Sequence, residues 1–133
     1  IYQTGWGSRQ HFLRWENPVT WQILDSIGLH YDATLGFADC IGFRCGTFRE
    51  FPVFDLKTRK QLRLREYPLV AMDTTLLNSK YMGLKPEQAL ERIGHLVAIW
   101  KQYGGKFTLL WHNSNLVSTC QKRMYQQLVE MCI

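Results

Sequence analysis

No Gly-Lys-Ser/Thr follows a glycine-rich bend in this chain, no two cysteines are spaced Cys-x-x-Cys, and no two histidines lie four residues apart. The first absence excludes a phosphate-binding P-loop, and the other two exclude familiar zinc spacings. No pair of adjacent aspartates occurs. No apolar run is long enough to cross a bilayer, so no membrane partner is expected. Internal repeats, low-complexity tracts and obvious linkers are also missing, which predicts a single domain over residues 1–133. No secretory leader is visible, although Ile1 in place of Met leaves room for a processed or excised chain.

The chain is rich in apolar and aromatic residues. Of its 133 residues 46% are hydrophobic, which argues against disorder and predicts a real core. Five Trp, seven Phe and six Tyr suit both core packing and the apolar stacking that lines sugar clefts. The formal charge is +5, part of it from Lys57-Thr-Arg59-Lys60-Gln-Leu-Arg63-Leu-Arg65. Alternating leucines there predict a half-exposed strand with a solvated basic face. No nucleic-acid motif accompanies it, so nucleic acid is not an expected partner. Cys40, Cys45, Cys120 and Cys132 read as free thiols of a reducing compartment, hence a cytoplasmic location.

Hydrophobic periodicity orders the chain as strand, helix, strand, hairpin, strand, helix, strand, helix. Residues 1–8 read as a loop and Ser8–Arg14 as a short strand. Asn17-Pro18 opens a helix, with Asn at the N-cap and Trp21, Ile23, Leu24 and Ile27 on its apolar side. Leu29–Leu35 is the next strand and residues 36–46 a loop. Phe48–Leu56 and Gln61–Arg65 form a hairpin, with Phe51, Val53 and Phe54 as inward candidates. Tyr67–Asp73 is a buried strand ending on an acid, and Thr74–Gly83 is irregular or a short helix. Pro86 starts the longest helix, whose apolar positions run from Ala89 to Tyr103, and Gly104-Gly105 ends it. Lys106–Trp111 reads as a strand buried on both faces. A Ser118-Thr-Cys-Gln121 capping box starts a last helix that buries Met124 and Leu128. Alternation of this kind implies a mostly parallel sheet with outer helices. An open half-barrel edge would also expose unpaired backbone groups, so a homodimer is expected.

The polar signals at strand ends are Arg9 with His11, Asp32, and His112. A histidine delivered to a sheet rim serves either as a structural hydrogen-bonding group or as a general acid or base oriented by a carboxylate. Asp32 is one carboxylate of that kind, or else a turn former, since Asp-Ala-Thr is good turn chemistry. Arg9 and Arg14 are equally compatible with surface charges. Gly42-Phe-Arg44-Cys-Gly46 either shapes a substrate loop or bends around a buried Arg44. Arg44 beside Cys45 would lower the thiol pKa.

Four stretches, taken together, point further. They are Arg9-Gln-His11-Phe-Leu-Arg14-Trp, Gly28-Leu-His-Tyr-Asp32-Ala-Thr-Leu-Gly36-Phe-Ala-Asp39, Gly42-Phe-Arg44-Cys-Gly46-Thr, and Leu109-Leu110-Trp111-His112-Asn113. This set resembles the later part of a polysaccharide deacetylase domain of the NodB-homology group (carbohydrate esterase family 4), in a bacterial branch linked to surface-polysaccharide synthesis. The resemblance covers nearly the whole chain. It implies an α/β fold, a partial (β/α) barrel of NodB deacetylase type. It also implies a metal-dependent hydrolase that removes N-acetyl groups from a carbohydrate, with a divalent metal, zinc in many members. Carried over by position, His112 matches the general acid, Arg9 the arginine that orients a base aspartate, and Asp32 falls near the acid that steadies the histidine. Leu110 matches the acetyl-pocket leucine, and Trp111, Arg44 and His11 join the substrate-binding set. The family's Asp-Asp and His-x-x-x-His motifs are absent here. The resemblance therefore implies that this chain carries the acid half of a site without its metal half, the missing N-terminal half being supplied elsewhere. It implies too that the chain alone is inactive and binds no metal. A non-catalytic carbohydrate-binding or assembly module is the alternative.

Overall fold

The spine of the molecule is one bent stretch that serves two sheets in turn. A computed structural model describes residues 5–133, so half of the loop expected over residues 1–8 lies outside the described residues. Strand β4 (Lys60–Glu66) pairs antiparallel with β3 (Phe51–Asp55) and parallel with β2 (Tyr31–Asp32), which in turn pairs parallel with β1 (Gly7–Ser8). The order in this sheet is β1-β2-β4-β3. After Tyr67-Pro68 the chain runs on as β5 (Leu69–Met72), which pairs parallel with β6 (Thr108–Leu110). Tyr67 N donates to Asp32 O at 2.8 Å and Leu69 N to Leu35 O at 2.9 Å. These bonds carry the β2 ladder past Glu66 to the start of β5 and join the two sheets.

The alternation of parallel strands and helices is as expected, and the Lys57–Arg65 segment does form half of a hairpin. No barrel closes among the described residues. β6 is half-buried along its length, not buried on both faces, because it has one neighbouring strand among the described residues. The expected strand over Ser8–Arg14 ends after Ser8. Phe12 and Leu13 take φ of 59° and 52°, a left-handed conformation that no strand can continue, and His11–Leu13 coils into a 3-10 turn.

Each face has its own core. Helix α1 (Val19–Ser26) lies on β4 and β3 and buries Trp21 and Leu24 against Leu35, Val53 and Leu64. Its apolar stripe is narrower than the sequence suggests, since Ile23 and Ile27 are 54% and 65% exposed. Pro18, not Asn17, holds the N-cap position, and no side chain caps this helix. In β3 the two-residue period turns Val53 and Asp55 inward, which puts Phe54 on the outer face. The second core lies under α3 (Pro86–Tyr103) and α4 (Thr119–Met131). Ala89, Ile93 and Val97 recur every four residues along α3 and meet Met124 and Leu128 of α4 and Leu76 of the short helix α2 (Asp73–Leu77). Tyr103, expected on the apolar side, is mostly exposed. Pro86 sits at the first turn of α3, Gly104 ends it at φ 68°, and Ser118 Oγ accepts from Gln121 N at 3.2 Å to cap α4. No described helix is long and apolar enough to cross a membrane.

Candidate active site

Parallel pairing of β5 and β6 decides which side chains meet. Met72 and Leu110 are register partners, so the chains leave both strands at the same end. Asp73 follows β5 at once, and His112 follows β6 by two residues. Reactive groups in α/β folds gather at such carboxyl ends. Asp73 is fully buried, and its carboxylate is the centre of the arrangement. Oδ1 accepts from Thr74 N at 2.7 Å, while Oδ2 accepts from His112 N and from Asn115 Nδ2, both at 2.8 Å. Oδ1 also lies 2.6 Å from His112 Nδ1. Every backbone and amide neighbour of Asp73 donates, so the carboxylate acts as acceptor. Nδ1 of His112 therefore carries the hydrogen and donates it. Thr74 Oγ1, 3.3 Å from the same nitrogen, packs beside this bond.

The consequence is a histidine with fixed tautomer and ring plane. Its side chain is 39% exposed, against 0% for that of Asp73. Nδ1 is used inward, and Nε2 has no partner among the described residues. That is the arrangement a general acid or base needs: one ring nitrogen tied to a buried carboxylate, the other available.

The two residues before His112 divide their work, Leu110 ending the strand and Trp111 following it. Leu110 is half-buried in the strand. Trp111 donates its indole N–H to Asn115 O at 3.2 Å and packs against Tyr125, with centroids 5.3 Å apart. Trp111 thus braces the 3-10 turn Asn113–Asn115, which brings the Asn115 amide to Asp73.

The other residues singled out from the sequence lie elsewhere. The carboxylate that steadies His112 is Asp73, not Asp32. Asp32 is fully buried in the four-stranded sheet, where its Oδ1 accepts from Thr34 Oγ1 at 2.6 Å. Burial raises its pKa. Arg9 is brought to the same place. Its Nε donates to Ala33 O at 3.0 Å and its charge acts on Asp32, while burial lowers its own pKa. A hollow of about 220 Å³ lies beside Arg9, between Gly7, Ser8, Tyr31 and Ala33. His11 is exposed, its ring 4.2 Å from that of Phe12. Arg44 is exposed too, not buried in its bend, and it donates to Gly36 O at 2.9 Å. Burial and the nearby Glu66 charge push the Cys45 thiol up to about 11, and Arg44 offsets only part of this. The expected lowering is thus reversed, which removes Cys45 as a nucleophile at neutral pH. A larger cleft, about 630 Å³, lies between the first turns of α3 and α4, lined by Pro86, Leu90, Thr119 and Arg123 among others. None of the residues around His112 lines it.

No family model matches the chain, and neither a curated protein nor a solved structure gives a significant match. The chemistry rests on the geometry of the site. Among the described residues no three His, Cys, Asp or Glu side chains cluster closely enough to hold a metal ion. The divalent metal implied by the deacetylase resemblance finds no donor set in them.

Proposed function

We propose that this chain carries the general-acid histidine of a hydrolase that removes N-acetyl groups from a carbohydrate. The supporting observation is the Asp73–His112 pair at the shared end of two parallel strands. Amide cleavage needs a proton on the departing nitrogen, because an unprotonated amide anion is a poor leaving group. His112 in its protonated form gives that proton from Nε2 as the C–N bond breaks. Nδ1 keeps its hydrogen throughout and donates it to Asp73, which holds the ring in place, as buried carboxylates do for other catalytic histidines. Leu110 and Trp111 stand next to His112 on the substrate side of this reading, whereas Arg9 lies beside Asp32 in the other sheet and has no part in it.

The test is acetate release from N-acetylglucosamine oligomers by the full natural protein. His112→Ala lowers kcat by about 10²- to 10⁴-fold, the range of a lost general acid. Turnover equal to the parent protein removes His112 from this role. The alternative, a carbohydrate-binding or assembly module without catalysis, draws on the lack of a three-ligand cluster among the described residues. It is favoured if the oligomers bind and no acetate is released by the parent protein.

A further inference from the structure

Strand register brings a second pair of acids together, away from His112. Asp32 of β2 and Glu66 of β4 are direct partners in a parallel pair. In-register residues of neighbouring strands point to the same face, and here that face lies under α1. Both side chains are fully buried. Register and burial set the two side chains next to each other, and the Asp32 charge raises the Glu66 carboxyl.

The donors around them are too few. Glu66 Oε2 accepts from the Trp21 indole at 3.0 Å, and Oε1 accepts from Leu35 N at 3.3 Å. Asp32 Oδ1 takes the Thr34 hydroxyl. Asp32 Oδ2 is buried with no hydrogen-bond partner among the described residues. A buried acceptor left in this state is costly, and two adjacent buried carboxylates are costlier still. Arg9 is the cation whose charge reaches Asp32, and one positive charge does not balance two negative ones. Among the described residues no third ligating side chain joins the pair, so they offer no metal site there.

We propose that Asp32 and Glu66 share one proton across the β2–β4 pair and that this proton makes the sheet bearing Arg9 sensitive to pH. A hydrogen on Glu66 supplies the donor that Asp32 Oδ2 lacks. The set then carries one carboxylate charge against one guanidinium. The pair is also wired to the Arg9 segment, because Thr34 Oγ1, which donates to Asp32, accepts from Gln10 N at 2.9 Å. The charged and titratable groups that face the pair are Arg9, from the segment after β1, and Cys45, from the loop before β3. Cys45 stays neutral through the range concerned, with its thiol pushed up to about 11.

The direction of the pH effect follows. Burial, then the Asp32 charge, push Glu66 up to about 8 from 4.5. The folded chain thus holds a proton that the unfolded chain releases near 4.5. The stability this provides is complete below that value and is lost as pH rises toward and through about 8.

Urea unfolding of the whole chain between pH 5 and pH 9 is the test, with two variants. In Asp32→Asn the side-chain NH₂ donates to Glu66 permanently, and the amide oxygen still accepts from Thr34. In Glu66→Gln the amide donates to Asp32 but gives up one acceptor, so it is less stable at every pH. The wild-type folding constant is expected to fall at least about tenfold more across this range than that of either variant. A second reading needs no variant to fold: the wild-type chain at pH 7 shows the infrared C=O stretch of a protonated carboxylic acid, absent at pH 10. Ordinary carboxyls are ionised at pH 7. Equal pH slopes in all three proteins, or no such band at pH 7, overturns the proposal.

Discussion

Two clusters of buried acid lie along the same bent β4–β5 stretch, and they solve the problem of burial in opposite ways. Asp73 collects donors from Thr74 N, His112 N and Asn115 Nδ2, with the His112 ring as a further partner. Asp32 and Glu66 face each other with one oxygen left bare. Burial is complete in both, so it does not distinguish them. What differs is the supply of N–H groups. At Asp73 the chain has just left a strand, and backbone amides from α2 and from the turn after β6 point at the carboxylate. At Asp32 and Glu66 the strand amides are committed to the β2–β4 ladder, and Leu35 N, the Trp21 indole and the Thr34 hydroxyl are left to serve four oxygens. The first arrangement gives its carboxyl a full set of donors and aims a histidine outward. The second favours a retained proton.

Breaking the richer cluster gives the largest effect. Asp73→Ala strands three donors in the interior at once, and each buried unsatisfied group costs about 1–3 kcal/mol. A loss of about 3 kcal/mol or more in urea unfolding is expected, with β5, β6 and the Asn113–Asn115 turn loosened together. A loss below about 1 kcal/mol means that water satisfies those donors and that the pair does not organise the site.

The contrast also explains what the sequence revealed. The α3 period, the Ser118 cap, the β3–β4 hairpin and a strand ending on His112 were legible, because local spacing carries each of them. Asp73 was legible as the acid ending a strand but not as the partner of His112. Thirty-nine residues separate the two, and only the parallel β5–β6 pairing brings them together. The sign available was that two apolar stretches each end on a chemically active side chain. Asp32 was misread for the complementary reason. Asp-Ala-Thr is good turn chemistry, yet here residues 32 to 36 are all buried, and the acid points under α1 toward Glu66. No local pattern announces a carboxyl pair assembled from strands 34 residues apart. The 3-10 turn at His11–Leu13 was hidden as well, since left-handed φ at Phe12 and Leu13 runs against their own preferences.

The poorer cluster is sharpened by removing one of its few donors. Trp21→Phe keeps most of the packing against Val53 and Leu64 but deletes the indole N–H on Glu66. A cost of about 1–2 kcal/mol is expected. Its pH dependence carries the information. The indole favours the ionised form of Glu66, so its loss raises that carboxyl further. Less stability is lost at pH 5, where Glu66 is protonated, than at pH 9, where it is charged. Urea midpoints at the two pH values check this, and equal losses mean that the N–H does not serve Glu66.

The smallest effect separates positioning from mere packing at the richer cluster. Asn115→Ala removes one amide donor from Asp73 and leaves the backbone donors Thr74 N and His112 N, so the expected cost is about 1 kcal/mol. The Trp111 indole still reaches the Asn115 carbonyl, because that acceptor belongs to the backbone. The turn therefore keeps its brace while the carboxylate gains freedom to rotate away from Nδ1. In acetate-release assays of the natural protein, such a variant lowers kcat with KM unchanged, because a histidine held less firmly transfers its proton less often without altering substrate affinity. Valine at the same position occupies more of the volume and restores no donor. If Asn115→Val recovers kcat, the amide acts by filling space. If it does not, the hydrogen bond to Asp73 is what holds the ring in line.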